Sequence, residues 1–333
     1  MRSRHFRIAG TSYVAEPRRA ATELAQALGY DASDAGKAAL IATELATNIA
    51  QHAGEGEILL RDTGGAAPAL EVLAIDKGPG IAQVARAMED GYSTAGTLGH
   101  GLGTVARQAD TFELFSQAPG GTVALARISP AGHRPAPAFS IAGVSVAQAG
   151  EIVCGDDWAV SWEHDRGLVL AVDGLGHGIG ASEAALQAVH VFTSSSQTSP
   201  AALVEELHRG LRPTRGAALA VAGIDLGART VRYAGLGNVG ASIVTPERKR
   251  TNLASQNGTA GHAARRVIEF SYPFPAESIL VMFTDGLMSG WDPSAYPRLW
   301  SCDPAIIAAV LYRDFSRRRD DVTVVVGTQR GVT

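Results

Sequence analysis

Apolar positions in the first 53 residues recur at helical spacing, and from residue 57 onward they fall into short, nearly continuous runs closed by glycine or aspartate. Residues 5–10 read as a first strand. A helix runs to Leu28 and stops at Gly29, and a second covers 34–53, with Leu40, Ile41, Leu45 and Ile49 as its apolar face. Strands follow at 57–61 and 69–75 around a loop at 62–68. After a short helical stretch and a glycine-rich loop at 96–104 come a helix at 105–110 and a hairpin of 112–115 with 121–127. Residues 129–138, with three prolines in ten, break both periods and read as a semi-rigid linker. Beyond it strands are expected at 139–146, 151–154, 158–162, 168–172, 217–225, 230–236, 241–244, 279–283 and 322–326. Helices are expected at 181–192, 200–211 and 304–316.

This pattern predicts a two-domain α/β (α+β) chain, with domains at 1–128 and 139–330. A length of 333 residues with 46% hydrophobic content leaves apolar material for two cores. The net charge of −4 gives no electrostatic case for nucleic acid or an anionic membrane surface. The basic start, Met-Arg-Ser-Arg-His-Phe-Arg-Ile, leads into no apolar run of signal-peptide type, and no stretch is long enough for a span, so a cytoplasmic protein is expected. Cys154 and Cys302, the only cysteines, read as small buried residues in a reducing compartment.

The candidate chemistry lies where strands end in carboxylates. The run 168–172 delivers Asp173 to Gly174-Leu-Gly-His-Gly-Ile-Gly180, and 279–283 leads to Thr284-Asp285-Gly286. Gly155-Asp156-Asp157 sits between two strand-like runs, and Asp320-Asp321 precedes the last strand. Gly176-His-Gly-Ile-Gly-Ala181 also fits a loose dinucleotide fingerprint, but Ser194-Ser-Ser196 stands where that motif wants an acidic residue. Hard oxygen ligands at four strand ends suit Mg²⁺ or Mn²⁺. Spacing alone does not separate Asp156 from Asp157 or Asp320 from Asp321. Arg215 and His177 are candidate phosphate contacts, and the tract 317–319 reads as a solvated helix end.

Taken in this order, the four motifs resemble the SpoIIE-type branch of the metal-dependent (PPM) protein serine/threonine phosphatases, and the RsbX-like group in particular. The resemblance covers residues 139–329. It implies that Asp156, Asp173, the carbonyl of Gly174, Asp285 and Asp320 hold two divalent ions, with Asp173 bridging them and a shared water as nucleophile.

In the N-terminal half Glu44, Asn48 and His52 stand at i, i+4 and i+8, which would put all three on one face of the 34–53 helix. Strand 69–75 ends in Asp76-Lys-Gly78-Pro-Gly80-Ile81. The glycines at 96, 99, 101 and 103 before a helix suit an anion-binding loop. Residues 42–53, the box 76–81 and the box Gly99-His-Gly101-Leu-Gly103 resemble the GHKL ATP-binding fold, in its switch-kinase and anti-sigma-factor branch typified by the RsbT group. That resemblance implies that Asn48 holds the Mg²⁺ of ATP, Glu44 orients or deprotonates the attacking hydroxyl, Asp76 accepts from the adenine amino group, Thr122 lies near the base, and both glycine boxes close on the nucleotide. No phosphoacceptor segment precedes the domain, so the acceptor is expected to be another protein.

The two resemblances together imply a kinase and an opposing phosphatase acting on STAS-domain proteins of the anti-sigma-antagonist or stressosome type. A sigma factor or a downstream phosphatase is a further implied partner. The alternative is an active phosphatase whose N-terminal module binds ATP and sequesters a sigma factor or partner without phosphorylating it.

Overall fold

The computed structural model describes residues 3–64, 68–84, 101–129, 139–264 and 266–329. They form two compact units: the N-terminal half joined by Ser301–Arg313, and the C-terminal half without that segment.

The first unit is an antiparallel sheet in the order β1-β2-β3-β5-β4, built from β1 (Arg4–Ile8), β2 (Gly56–Asp62), β3 (Leu70–Asp76), β4 (Thr111–Ser116) and β5 (Thr122–Ile128). Helices α1 (Ala15–Ala27), α2 (Ala32–Asn48) and α3 (Gly101–Gln108) accompany it. Asp31 caps α2 by accepting the Asp34 N–H at 2.8 Å. Period-two alternation sends Ile58, Leu60, Leu70, Val72, Ala74, Ala124 and Ala126 to the helical side, where they pack on Ala38, Ile41, Ala42 and Leu45. Two expectations change here. Helix α2 gives way after Asn48 to a π-turn, Ile49–Ala53, in which the Gly54 N–H bonds the Ile49 carbonyl, five residues back, at 3.0 Å. Helix α3 already includes Gly101 and Gly103, which therefore lie in the helix and not in a loop before it.

The other side of the sheet is also buried, and it is charged. Arg61, Glu71 and Arg127 are direct cross-strand neighbours on β2, β3 and β5. Arg61 Nε donates to Glu71 Oε1 at 2.5 Å and Arg127 Nε to Glu71 Oε2 at 2.8 Å, while the Arg127 fork grips Asp303 at 2.7 and 2.8 Å. The helix Pro304–Phe315 continues from Asp303, and its Tyr312 hydroxyl donates to Glu57 Oε2 at 2.6 Å. Burial pushes the Glu71 carboxyl up, but Arg61 and Arg127 outweigh it and hold Glu71 below its ordinary value. Replacing Arg127 with methionine leaves two buried carboxylates short of a partner and should cost the first unit about 3–5 kcal/mol. Hydrogen exchange of the β2, β3 and β5 amides measures this. A lowered carboxyl pKa contributes stability above its unfolded value that is lost as pH falls through the folded one. Acidification from neutral pH should therefore narrow the gap between wild type and variant.

The second unit has two five-stranded antiparallel sheets. One runs β15-β10-β9-β8-β7 and the other β12-β11-β16-β17-β6. The first sheet comprises β7 (Asp156–Glu163), β8 (Arg166–Gly174), β9 (Ala217–Asp225), β10 (Thr230–Leu236) and β15 (Phe270–Pro273). The second comprises β6 (Phe139–Val146), β11 (Gly240–Val244), β12 (Arg250–Asn252), β16 (Ile279–Phe283) and β17 (Val322–Gln329), and β13 (Gly258–Thr259) pairs with β14 (Ala263–Ala264) apart from both. Helices α4 (Ile179–Ser194) and α5 (Pro200–Gly210) set Ala185, Ala188, Phe192, Leu203, Val204 and Leu207 on Leu170, Val172, Leu219 and Val221 of the first sheet. The strand expected at 151–154 is absent: Asp321, and not a neighbouring strand, takes the N–H groups of Gln148 and Gly155 on either side of it.

Candidate active sites

In the second unit the carboxylates come from strand ends of both sheets. Asp156, the first residue of β7, is the antiparallel register partner of Asp173 near the end of β8. Asp285 lies two residues beyond β16, and Asp320 and Asp321 immediately precede β17, which pairs with β16. A Cβ at Gly174 would meet the Ala181 carbonyl oxygen at 2.1 Å, so only glycine lets the start of α4 return this close behind Asp173.

Hydrogen bonds give the acidic residues different jobs. Both oxygens of Asp321 are committed, to the Gln148 N–H at 2.8 Å and the Gly155 N–H at 2.9 Å. Asp320 accepts the Asp321 N–H with Oδ1 at 3.0 Å. Asp157 accepts the Trp158 N–H, and its strand position directs it to the face opposite Asp156. Asp156 takes a 2.6 Å hydrogen bond from Thr284 Oγ1, which itself accepts the Thr323 N–H at 2.8 Å. Asp285 Oδ2 accepts from Asn238 Nδ2 at 2.6 Å. Thr284 and Asn238 were not picked out as site residues from the sequence. Thr284 belongs to the Thr284-Asp285-Gly286 motif itself, and no local pattern marks Asn238.

Burial and the neighbouring Asp173 push the Asp156 carboxyl well above its ordinary value, and burial with Asp285, Asp320 and Asp321 raises Asp173 to about 7. Burial and Asp320 raise Asp285 in the same direction. Among the described residues no three His, Cys, Asp or Glu side chains are gathered tightly enough to hold an ion on their own. The donor set suits hard divalent cations all the same, because Mg²⁺ characteristically keeps several waters and takes only one or two carboxylates. Cys154 and Cys302 are half-buried, not buried as expected, and at Cys154 desolvation followed by Asp156 and Asp321 raises the thiol well above its ordinary value. His177 is exposed, with Nδ1 2.5 Å from Glu151 Oε1.

In the first unit Glu44 and Asn48 lie one turn apart on α2 and both reach α3. A Cβ built on Gly101 would be 3.1 Å from Glu44 Oε2 and 3.1 Å from Asn48 Oδ1. Asn48 Nδ2 is buried and unpaired among the described residues, an orphan donor that calls for a ligand or water. His52 falls in the π-turn that follows Asn48 and is exposed. Asp76 closes β3, and its Oδ1 accepts the N–H groups of Gly78 at 2.8 Å and Thr122 at 3.1 Å. Burial raises its carboxyl against those two bonds. Gly80 holds φ at 73°. Ser116, missed in the sequence, accepts the Ile81 N–H at 2.7 Å and lies 3.0 Å from Thr122 Oγ1. Gly96, Gly99 and His100 lie outside the described residues.

Comparison with known proteins finds a family for each half of the chain. Residues 9–128 fit the family described as histidine kinase-like ATPase domain, and residues 163–328 fit Stage II sporulation protein E (SpoIIE). Over 106 residues the chain is 39% identical to the serine/threonine-protein kinase RsbT of Bacillus subtilis (strain 168), across 32% of this chain and 80% of RsbT. The chain belongs to the RsbT family. It joins that GHKL-like ATPase domain to a SpoIIE-type PPM phosphatase domain, a pairing of kinase-like and phosphatase enzymes that use ATP and divalent metal. Among solved structures, one from the bacterial stressosome, described as a modular system adapted to control secondary messenger signalling, aligns with 57% of this chain and 98% of its own at TM-score 0.53 and 25% identity. RsbX in complex with magnesium aligns over 58% and 96% of the two chains at TM-score 0.51 and 18% identity, a likeness of fold alone. No helix among the described residues is long and apolar enough to cross a membrane.

Proposed function

We propose that the chain is a fused serine/threonine kinase and phosphatase working in opposition on a STAS-domain partner of the anti-sigma-antagonist or stressosome type. The observation that carries the phosphatase half is that strand ends of the two sheets set Asp156 opposite Asp173 and carry Asp285 and Asp320, with raised carboxyl pKa values for the first three. Those four residues and the Gly174 carbonyl would hold two ions, Mg²⁺ or Mn²⁺. Such a pair supplies a water of lowered pKa and charge neutralisation at a phosphoryl group. Thr284 and Asn238 keep two of the carboxylates aimed before any ion arrives.

In the kinase half Asn48 would hold the Mg²⁺ of ATP. Glu44, one turn away beside the same Gly101, is placed to orient or deprotonate the attacking hydroxyl. Asp76 spends Oδ1 on backbone N–H groups, which fixes the carboxylate so that Oδ2 can accept from an adenine amino group, with Thr122 at the base. Gly78, Gly80, Gly99, Gly101 and Gly103 would let the backbone approach the nucleotide. The partner class is supported by the kinase RsbT and the stressosome protein among the relatives.

Incubation with candidate STAS proteins and labelled ATP, with and without Mn²⁺, tests the pair of activities. Label should pass to a serine or threonine of the partner with ATP and Mg²⁺ and leave it when Mn²⁺ is added. A partner panel that neither gains nor loses phosphate would sink the proposal.

A further inference from the structure

Arg215 stands in the connection between α5 and β9, and its main chain is fixed from several sides. His262 Nε2 is hydrogen-bonded to the Arg215 carbonyl at 2.8 Å. Thr214 Oγ1 accepts the Gly216 N–H at 3.0 Å and donates to the Leu211 carbonyl at 2.7 Å. The Gly216 carbonyl takes the N–H of Leu175, at 3.0 Å, two residues past Asp173. The residue is therefore tied to the loop that carries the candidate metal carboxylate.

Its side chain has no such ties. The guanidinium is exposed and makes no hydrogen bond or ion pair among the described residues, although Asp156, Asp173, Asp285, Asp320 and Asp321 belong to the same unit. It lies across the glycine loop. A Cβ at Gly180 would sit 2.5 Å from Arg215 Nε, 2.6 Å from Cζ and 3.0 Å from Nη2, and one at Gly176 would sit 3.5 Å from Nη1. Gly180 is inside α4 at an ordinary helical φ, where alanine would favour the helix, so the backbone does not call for glycine there. Space for the guanidinium does.

A planar fork held over a glycine loop without a carboxylate partner matches the geometry that grips phosphoryl oxygens. We infer that Arg215 binds the phosphoryl group of the phosphorylated side chain entering the acidic site, and that Gly180 is glycine to leave its guanidinium room. This rests on the phosphatase reading. The residue binds substrate and does not hold metal.

The test uses the full chain with Mn²⁺, p-nitrophenyl phosphate as substrate and inorganic phosphate as competing ligand. Arg215→Ala should lower kcat/KM about 10- to 100-fold, chiefly through KM, and weaken phosphate inhibition by a similar factor. Arg215→Lys, which keeps the charge and loses the fork, should recover part of it. Gly180→Ala should reproduce the KM defect by displacing an intact arginine while leaving the helix at least as stable, which guards against a folding artefact in Arg215→Ala. Mn²⁺ affinity by calorimetry should be unchanged in all three. Wild-type KM and phosphate inhibition in both Arg215→Ala and Gly180→Ala would overturn the inference and leave the phosphatase reading standing. A wild type that hydrolyses nothing in Mn²⁺ would overturn both.

Discussion

Asp173→Asn is expected to lower hydrolysis of phosphoprotein or p-nitrophenyl phosphate by roughly 10³-fold or more, since divalent ions supply several kcal/mol of transition-state charge stabilisation. Asparagine keeps the shape of the side chain and removes the charge directly opposite Asp156. A second readout separates this from misfolding. In the metal-free protein Asp173 is raised to about 7 by burial and its acidic neighbours, so it is destabilising once ionised. A carboxyl bound more tightly to its proton in the folded state loses stability as pH rises from its unfolded value through the folded one. Without metal, the variant should therefore be at least as heat-stable as wild type at pH 7 and show a smaller fall between pH 4 and 7. With Mn²⁺ the order should reverse, because only the wild type gains binding stabilisation. An unchanged hydrolysis rate in Asp173→Asn would remove the phosphatase assignment.

The strand-then-aspartate-then-glycine pattern was legible because each step is local. A buried apolar run makes the strand, and the glycine beside the carboxylate is forced by close approach, as at Gly174. What the sequence hid depends on distant partners. Thr284 meets Asp156 across 128 residues and Asn238 meets Asp285 across 47, and no periodicity reports such pairs. The stretch 151–154 has strand-like composition but lies between two N–H groups held by Asp321, and tertiary hydrogen bonding overrode the local preference. The π-turn after Asn48 is a backbone choice that an i, i+4, i+8 count cannot see. The second buried side of the first sheet did leave a trace. Residues 69–75 are almost continuously apolar, as strands covered on both faces are, and residues 304–312 are apolar nearly all round. Neither signal says that each would lie in the same unit as the other.

The last expected result decides between kinase and sequestering module. Glu44 and Asn48 touch the same turn of α3, yet they bear on different steps: an amide that meets the nucleotide's cation acts in the ground state, whereas a carboxylate that handles the acceptor hydroxyl acts during transfer. Glu44→Ala should therefore keep ATP affinity and partner binding near wild type and lower phosphoryl transfer by about 10²- to 10⁴-fold. The measurement belongs in a chain that also carries Asp173→Asn, because an active phosphatase in the same polypeptide would erase the product and imitate a dead kinase. In that background phosphorylated partner should accumulate when Glu44 is present and fail to accumulate when it is alanine. Should the Asp173→Asn chain bind its partner and ATP tightly and never phosphorylate it, Glu44 has no transfer step to act on, and the N-terminal unit is a nucleotide-dependent clamp on its partner.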